Sequence, residues 1–368
     1  MFKVYIRPHW EISFNAEPPI DTAALLGLLV AVQDTGSIAQ AAKTVKLSYR
    51  YAWGLLREAE ALFGDSLLQT GRGRGTQLTP LAQKLVWADR RIAARLSPTL
   101  DSLASELETE LGKMAAERLR MIRMDASHGF AVAALMVHLN SVEMPVELRY
   151  RNSTDAVAAL SRRECDLAGF HVPTGQFEQA AVAWYTRWLD PDQHCLIHLA
   201  VRHQGLFVAA GNPLGISTLA DLARSDVRFV NRQVGSGTRM LLELMLEDAG
   251  VSPHAIGGYN SAEFTHSAVA AYIASGMADV GIGVRTAAQR FKLDFIPLVR
   301  ERYFFAVRSD ALGDPLLKQL VGVLQLPEYH ARVNELTGYD AADTGTIMSL
   351  QQAFGMRPIG EDVHHQKT

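Results

Sequence analysis

Two short apolar stripes at helical spacing stand out in the first part of this 368-residue chain. The first stripe follows Ser37 and the second follows Ser48, and serine is a residue type that caps helix N-termini. A tight turn at Lys46-Leu47 separates them, and Gly64 ends the second because glycine readily takes a positive φ. The pattern predicts a helix-turn-helix. The stripes consist of Ile38, Ala41, Ala42 and Val45, and of Ala52, Leu55, Leu56, Ala59, Leu62 and Phe63.

A glycine-rich hairpin pattern follows the two helices. Leu67–Thr70 and Thr76–Thr79 are short strand-like runs joined by Gly71-Arg-Gly-Arg-Gly75. The glycines permit close backbone approach, and the arginines have the length to contact phosphate groups or the minor groove. A hairpin in this position is typical of a wing, so we predict a winged helix-turn-helix domain over residues 1–80.

One long helical stripe then runs from Pro80 to about Lys113. Such a helix cannot bury its apolar face alone. It is either a dimerisation helix or a helix packed on its own domain, and we favour dimerisation. Pro98 is expected to bend or interrupt it, because proline removes a helix hydrogen bond. We assign residues 81–117 to this linker, whose stripe is Leu81, Leu85, Ala88, Ile92, Leu96, Leu100, Leu103 and Leu107.

Strand and helix patterns alternate from Arg118 onward, which is typical of an α/β fold with parallel strands. The order repeats, so we predict a bilobal α/β domain over residues 118–325. Residues 326–368 form a C-terminal segment with a helix at Thr346–Phe354 and disordered last residues. The predicted strands are Leu119–Met124, Val146–Tyr150, Asp166–Phe170, Leu206–Ala210, Val227–Asn231, Val280–Val284 and Tyr303–Val307. The predicted helices are Ser127–Asn140, Thr154–Arg162, Thr218–Ala223, Thr238–Ala249 and His266–Ser275.

Composition narrows the function classes. The hydrophobic content of 48% is ordinary, no apolar run approaches a membrane span, and the N-terminus lacks a signal segment, so we expect a cytoplasmic protein with no membrane partner. Cys165 and Cys195 show no spacing typical of a disulfide or zinc framework. Signatures such as Gly-x-Ser-x-Gly and HExxH are also missing, so we expect no enzyme activity, no catalytic residues and no metal site.

Positive charge gathers on the predicted head, although the whole chain has a formal net charge of −3. Six basic residues stand against three acidic ones between Lys43 and Arg74. The outward face of the second helix carries aromatic and basic residues near the end that such motifs insert into the major groove. We therefore predict double-stranded DNA as a partner. The candidate DNA-binding residues are Ser37, Lys46, Ser48, Tyr49, Arg50, Trp53, Arg57, Arg72 and Arg74.

A glycine-rich turn, NRQVGSGTR at Asn231–Arg239, is the second chemical signal. It follows a predicted strand and opens a predicted helix, so its backbone N–H groups and hydroxyls meet at a positive helix end that favours an anion. Arg232 and Arg239 add bidentate donors. The alternative is a simple turn in which Thr238 is an ordinary N-cap. The turn is not a P-loop, because the Gly-Lys-Ser/Thr ending is missing.

Further candidates follow from where strands end, because open α/β sheets bind ligands outside the carboxyl ends of their strands. The hydroxyl groups of Ser127, Ser153 and Thr154 are placed either to contact a ligand or to act as plain helix N-caps, and for Thr154 we favour the N-cap. Single histidines such as His128 and His171 are more often structural. The segment Glu263–His266 is placed to close over a ligand. The candidate ligand-binding residues are Ser127, His128, Asn152, Ser153, Thr154, His171, Asn231, Arg232, Gly235, Ser236, Gly237, Thr238, Arg239, Thr265 and Tyr303.

The head resembles the N-terminal domain of molybdate-responsive ModE regulators and, more broadly, of LysR-type regulators. Three phrases carry the resemblance: GSIAQAAK at Gly36–Lys43, LSYRYAWGLL at Leu47–Leu56, and GRGRGTQLTPLAQKL at Gly71–Leu85. The aromatic run in the second phrase is closer to ModE. Val4–Phe14 alternates apolar and polar residues like a strand, which is also similar to ModE.

The second domain resembles the bilobal, periplasmic-binding-protein-like (type II) ligand domains of LysR-type regulators. Its Asn231–Arg239 phrase is similar to one in domains fused to molybdenum-cofactor biosynthesis proteins. The resemblances imply a homodimer or homotetramer on operator DNA, with molybdate or tungstate, the molybdenum cofactor or formate as a small effector and no covalent cofactor. One departure is that ModE proteins carry small β-barrel molybdate modules in place of a bilobal domain.

Two function hypotheses from different classes follow. The first is a ligand-responsive transcriptional regulator that senses a small anion and controls molybdenum-enzyme genes such as those of formate dehydrogenase. The second is a protein that handles molybdopterin and uses its N-terminal domain to dock a protein partner. A repressor whose cleft has lost its ligand is a third possibility.

Overall fold

A computed structural model describes residues 2–13, 19–71, 75–114 and 120–356. The chain divides into two compact units, Arg7–Leu96 and a second unit of Met1–Ile6 with Ser97–Thr368. Residues 72–74 of the predicted wing tip and the predicted disordered tail lie outside the described residues. Among the described residues, no helix is long and apolar enough to cross a membrane.

The first unit is a winged helix-turn-helix. The caps are those that the sequence predicts: Ser37 and Ser48 accept hydrogen bonds from backbone N–H groups of their helices, and Gly64 ends the second helix at φ +66°. A short antiparallel hairpin follows, and a long helix leaves the unit. The elements are α1 Thr22–Thr35, α2 Ile38–Thr44, α3 Tyr49–Phe63, β1 Leu68–Gly71, β2 Gly75–Leu78 and α4 Pro80–Met114.

Helix α1 is an element that the sequence patterns above do not include. Its apolar residues surround the helix, so it lacks the one-sided stripe by which α2 and α3 are recognised. Asp21 caps it, Gly36 ends it, and its leucines form the centre of the head's core.

The predicted N-terminal strand is wrong over the described part of Val4–Phe14, since that part contains only an isolated bridge between Ile12 and Ile20. The apolar residues of this alternating segment do not pack against a sheet among the described residues, and Tyr5 is 80% exposed.

Helix α4 is one continuous helix from Pro80 to Met114, so of the two outcomes predicted at Pro98, a bend or an interruption, the interruption is wrong. Proline removes one hydrogen-bond donor, and the turns on both sides remain helical. In the second unit, Ser102 and Ser105 accept hydrogen bonds from the backbone N–H groups of Tyr150 and Leu148, at 2.9 Å each. This half of α4 therefore covers part of a sheet edge.

The second unit has the predicted α/β character. Its strands are β3 Ile122–Ala126, β4 Val146–Tyr150, β5 Leu167–Pro173, β6 His194–Val208, β7 Phe229–Arg232, β8 Ala262–Glu263, β9 Val280–Val284, β10 Asp294–Arg308, β11 Tyr339–Asp340 and β12 Ile347–Ser349. Its α-helices are α5 Phe130–Ser141, α6 Ser153–Ser161, α7 Glu178–Ala183, α8 Gly237–Asp248, α9 His266–Ala274, α10 Arg285–Arg290, α11 Pro315–Leu324, α12 Pro327–Asn334 and α13 Leu350–Phe354.

One sheet in the order β4-β3-β5-β10-β6-β9-β7-β8 connects two lobes. Strands β6 and β10 pair antiparallel along almost their whole length. On their outer edges, β10 also pairs with β5 of the first lobe, and β6 with β9 of the second. These two strands therefore belong to both lobes, and the sheet is covered by separate apolar clusters in each.

Several predicted boundaries are wrong. The long strands β6 and β10 were predicted only as Leu206–Ala210 and Tyr303–Val307, because polar residues interrupt their apolar runs. Helix α5 starts at Phe130 and not at Ser127, since Gly129 is extended. The segment from Thr218 is a short 3-10 helix, and α13 starts after β12, not at Thr346.

Candidate functional site

The outward face of α3 carries a row of large side chains. Tyr49 and Trp53 contact each other edge to face with ring centroids 6.3 Å apart, and the Arg57 guanidinium lies 5.9 Å from the Trp53 ring. Arg50 and Tyr51 are exposed beside this row. Since the row follows successive turns of one helix, its aromatic edges and cations are presented together to solvent.

The other candidate DNA-binding residues lie at helix caps, in the turn between the helices, or outside the described residues. Ser37 and Ser48 are the N-caps of α2 and α3, so the backbone uses their hydroxyls as acceptors. Lys46 is exposed in the turn between the helices at φ +58°. Arg72 and Arg74 lie outside the described residues.

The wing is held close to the turn between α1 and α2. The Thr76 backbone N–H donates to the Gly36 carbonyl at 2.8 Å. Gly75 has φ +68°, and a Cβ there would lie 2.7 Å from the Gly36 oxygen. Only glycine fits this approach without a shift of the backbone.

The two lobes of the second unit meet at a small polar cavity. The first lobe contributes Ser127 and His128 after β3, Arg151–Ser153 after β4, and His171 on β5. The second lobe contributes residues at the end of β7 and at the N-terminus of α8, and a segment before and at the start of α9: Arg232, Gln233, Ser236, Gly237, Phe264 and His266. The free space is about 20 Å³, which accommodates roughly one water molecule.

Arg232 is the buried cation of this cavity. Its Nη1 lies 2.9 Å from His266 Nδ1, its Nη2 donates to the Phe264 carbonyl, and its Nε has no hydrogen-bond partner among the described residues. Burial, followed by the charge of Arg202, lowers the pKa of Arg232 to about 9. The guanidinium therefore keeps its charge at neutral pH.

His171 faces the N-terminus of α8 from the opposite lobe. A Cβ at Gly237 would lie 2.6 Å from His171 Nε2, so glycine is required for this approach. His171 Nδ1 lies 3.3 Å from the Ser153 hydroxyl, and Nε2 has no hydrogen-bond partner among the described residues. The N-terminus of α8 offers the positive end of a 12-residue helix.

Three histidines of the cavity are held neutral. Burial, followed by the charges of Arg232 and Arg202, lowers the pKa of His128 to about 3. Burial and the same two arginines hold the pKa values of His171 and His266 well below the ordinary range. At neutral pH these rings offer neutral donors and acceptors.

A buried ion pair lies on the crossing strands beside the cavity. Arg202 of β6 and Glu301 of β10 are paired in register, and Arg202 Nε lies 2.9 Å from Glu301 Oε2. Glu301 Oε1 is 3.7 Å from His171 Nε2. The pair connects the cleft to the strands that both lobes share.

Seven of the candidate ligand residues do not line the cavity. Tyr303 exchanges hydrogen bonds with Ser127, and Asn231 donates to the Tyr259 carbonyl. Arg239 pairs with Glu243, with its guanidinium 4.8 Å from the Tyr259 ring. The others are Thr154, Gly235, Thr238 and Thr265.

Two predicted caps are wrong. Asn152, and not Thr154, caps α6, because the chain turns into the helix at Asn152 and its side chain accepts from the Asp155 N–H. Ser236, and not Thr238, caps α8, and Thr238 instead accepts from the buried Gln204 amide.

Sequence reasoning missed several residues of these sites. Arg202 and Glu301, beside the cavity, and Arg151 in its wall were not among the candidates. Gln233, Phe264 and His266 also line the cavity, and they lie in the Asn231–Arg239 turn and in the Glu263–His266 segment that the sequence had indicated. Arg202 and Glu301 could have been found from the sequence, because each is a charged residue inside the largely apolar run of a strand, and a buried charge requires a partner.

The comparisons with known proteins cover both units. Residues 24–83 match the bacterial regulatory helix-turn-helix protein family of the lysR type, and residues 134–325 match the PBP superfamily domain. The uncharacterized protein YvgK of Bacillus subtilis (strain 168) is 33% identical over 226 residues, which are 61% of this chain and 73% of YvgK.

Two further relatives, a transcriptional regulator and a transport protein, are less similar in sequence. The HTH-type transcriptional regulator CbbR of Sinorhizobium medicae (strain WSM419) is 25% identical over 78% of this chain and 87% of its own. The molybdenum transport protein ModE of Azotobacter vinelandii is 28% identical over 38% of this chain and 55% of its own.

A lysR-type head joined to a PBP superfamily domain defines a class of DNA-binding transcriptional regulators with a ligand-binding domain, which are not enzymes. The protein belongs to this LysR-type family, and the winged helix-turn-helix and the bilobal α/β fold that the sequence predicts are confirmed.

Proposed function

We propose that this regulator senses a small oxyanion in the cleft between its lobes, with molybdate or tungstate as the first candidates and formate as a smaller one. Arg232 carries the proposal. Its charge is buried, its Nε is unpartnered among the described residues, and it borders the N-terminus of α8. A charged hydrogen bond from Arg232 and the helix end both favour an anion.

The size of the cavity supports a small ligand. Its free space of about 20 Å³ is filled by roughly one water molecule. A tetrahedral oxyanion fits after a modest separation of the lobes, whereas a pterin requires a much larger opening. This observation disfavours the molybdenum cofactor as effector and, with it, a molybdopterin-handling protein.

Similarity to a molybdenum protein supports the choice of oxyanion. The ModE relative is named a molybdenum transport protein, and the match covers 38% of this chain. We infer that this regulator controls genes of molybdenum enzymes, such as formate dehydrogenase, and acts in the cytoplasm on operator DNA.

The proposed mechanism is a population shift between lobe arrangements. An anion that contacts His171 of one lobe and Arg232 of the other binds the closed arrangement more tightly than an open one. Only that difference in affinity favours closure. In a dimer or tetramer, closure then changes the spacing of the DNA-binding heads.

The test is thermal stability of the full chain with molybdate, tungstate, sulfate or formate. A ligand present at about 100 times its Kd stabilises the folded state by about 2.7 kcal/mol, which raises the melting temperature in a dose-dependent way. We expect Arg232→Gln to abolish the shift. Arg228→Gln is the matched control and should keep it, because the exposed Arg228 pairs with Asp279 outside the cavity wall. Absence of a shift with all four anions would contradict the proposal.

A further inference from the structure

The cavity wall contains several nitrogen groups that are or can become cationic, and no carboxylate among its described residues. Two are guanidinium groups, those of Arg151 and Arg232. Arg151 is paired with two carboxylates: its Nε lies 2.9 Å from Asp125 Oδ2, a carboxylate that it shares with Arg149, and its Nη1 lies 3.9 Å from Glu164 Oε2. Arg232 forms no ion pair with a carboxylate among the described residues, and its charge is available to a ligand.

The charge of the wall distinguishes ligands by their own charge. A monoanion such as formate is balanced by Arg232. A dianion such as molybdate brings a second negative charge into a buried space, where an uncompensated charge is strongly unfavourable. One protonated histidine in the wall supplies the missing positive charge.

His171 is the histidine best placed to hold that proton. His266 lies 2.9 Å from Arg232 Nη1 through a ring nitrogen that must accept, so its protonation removes this hydrogen bond. His128 packs on the Tyr150 ring, with centroids 4.9 Å apart. His171 instead has an unpartnered Nε2 that lies 3.7 Å from Glu301 Oε1.

The groups around His171 agree with this assignment. Ser153 of α6 lies at Nδ1, Arg202 of β6 pairs with Glu301, Arg232 of β7 lies across the cleft, and Tyr303 of β10 stacks at 6.1 Å. Two buried carboxyl groups lie outside the cavity wall: Glu301 is on β10, which pairs with the His171 strand β5, and Glu263 is on β8, where it pairs in register with Arg232 of β7.

Without a ligand, burial and the neighbouring arginines keep His171 from being protonated. Burial and then Arg202 and Arg232 hold the pKa of His171 well below its ordinary value, so the ring is neutral. An anion placed between His171 and Arg232 compensates the charges that oppose protonation.

We propose that the cleft takes up a dianionic oxyanion together with one proton, and that His171 holds this proton while the ligand is bound. The inference rests on the proposed function and deepens it, since it defines the ionic form in which the site accepts its ligand. A monoanion binds the same site without a proton.

The test is isothermal titration calorimetry of the full chain with sodium molybdate and with sodium formate at pH 7.5. Each titration is repeated in HEPES and in Tris, whose different ionisation enthalpies reveal the number of protons taken up. We expect about one proton with molybdate and about none with formate. Molybdate affinity should also rise by about tenfold for each pH unit lowered, as one coupled proton requires.

Variants locate the proton. His171→Gln should bind molybdate without proton uptake, and His198→Gln, a buried histidine of β6 outside the cavity wall, is the matched control and should keep the uptake. The pH dependence of the unmodified chain tests the coupling even if a variant fails to fold. Molybdate binding without proton uptake would overturn this inference and leave the proposed function intact. Full uptake in His171→Gln would overturn the assignment to His171. No heat with either anion or with tungstate would contradict the proposed function itself.

Discussion

At the scale of single residues, the outward face of α3 carries side chains that we predict to contact DNA. Arg57 lies against Trp53, and this contact holds a flexible cation beside an aromatic surface. Cation–π contacts at exposed sites contribute about 0.5–1 kcal/mol, enough to favour one orientation of the guanidinium. An ordered cation loses less conformational entropy when it binds a phosphate.

Replacing Arg57 with Gln is expected to weaken DNA binding on all sequences by a similar factor. The reason is that a phosphate contact adds charge and no base readout, so its loss should also reduce the salt slope by about one. Mobility shifts on DNA from the upstream region of the gene, at several salt concentrations, measure both. Lys318→Gln removes the same charge from an exposed position of α11 and should change neither. An unchanged salt slope in Arg57→Gln would place Arg57 outside the interface.

At the scale of whole elements, the second half of helix α4 has one face that packs on its own unit and another that remains exposed. Its second half packs on its own unit through the buried Ala104 and through Ser102 and Ser105 at the edge of β4. Leu103 and Leu107 on the same half remain 48% and 40% exposed. Both readings of the stripe thus have support: the helix packs on its own domain, and its exposed leucines are available to a second copy of the chain.

The double substitution Leu103→Gln and Leu107→Gln is expected to dissociate the oligomer. Polar side chains remove the apolar area on which association depends. Light scattering after size-exclusion chromatography at micromolar concentration gives the mass directly. Glu106→Gln, an exposed substitution on the same helix, should leave the mass unchanged. A stable dimer in the double variant would show that α4 does not hold the subunits together.

At the scale of the ligand-binding unit, the buried polar groups of the cleft connect stability to pH. Neutral buried histidines resist protonation in the folded state and accept protons freely when the chain unfolds. The pKa values of His128, His171 and His266 are lowered, and that of His198 is lowered to about 4, chiefly by burial. The unfolded chain therefore binds more protons below its ordinary histidine pKa of about 6.5.

Stability of this unit should be fully present above about pH 6.5 and should be lost as the pH falls towards the lowered values. Each histidine contributes up to about 1.4 kcal/mol per pH unit over that window. Differential scanning calorimetry between pH 7.5 and 5.5 should show a falling melting temperature. His171→Gln should reduce the fall, and His254→Gln at an exposed position should not. A constant or rising melting temperature on acidification would refute this expectation.

The sequence by itself determined the local elements of this protein. Ser37, Ser48 and Gly64 mark helix ends through hydrogen bonds to their own chain neighbours, and the alternation of strands and helices is likewise a local pattern. Helix α1 was not predicted, because its apolar residues are not confined to one side of the helix. A strand was wrongly predicted in the described part of Val4–Phe14, because alternation of apolar and polar residues does not by itself provide a partner strand.

Tertiary structure alone decided which residues meet in the cleft. Arg232 and Arg239 look equivalent along the chain, yet one lines the cavity and the other pairs with Glu243. His171 approaches Gly237 from another lobe, and Arg202 meets Glu301 across 99 residues. These contacts depend on the crossing of β6 and β10, and no local propensity encodes the packing of segments so distant in sequence.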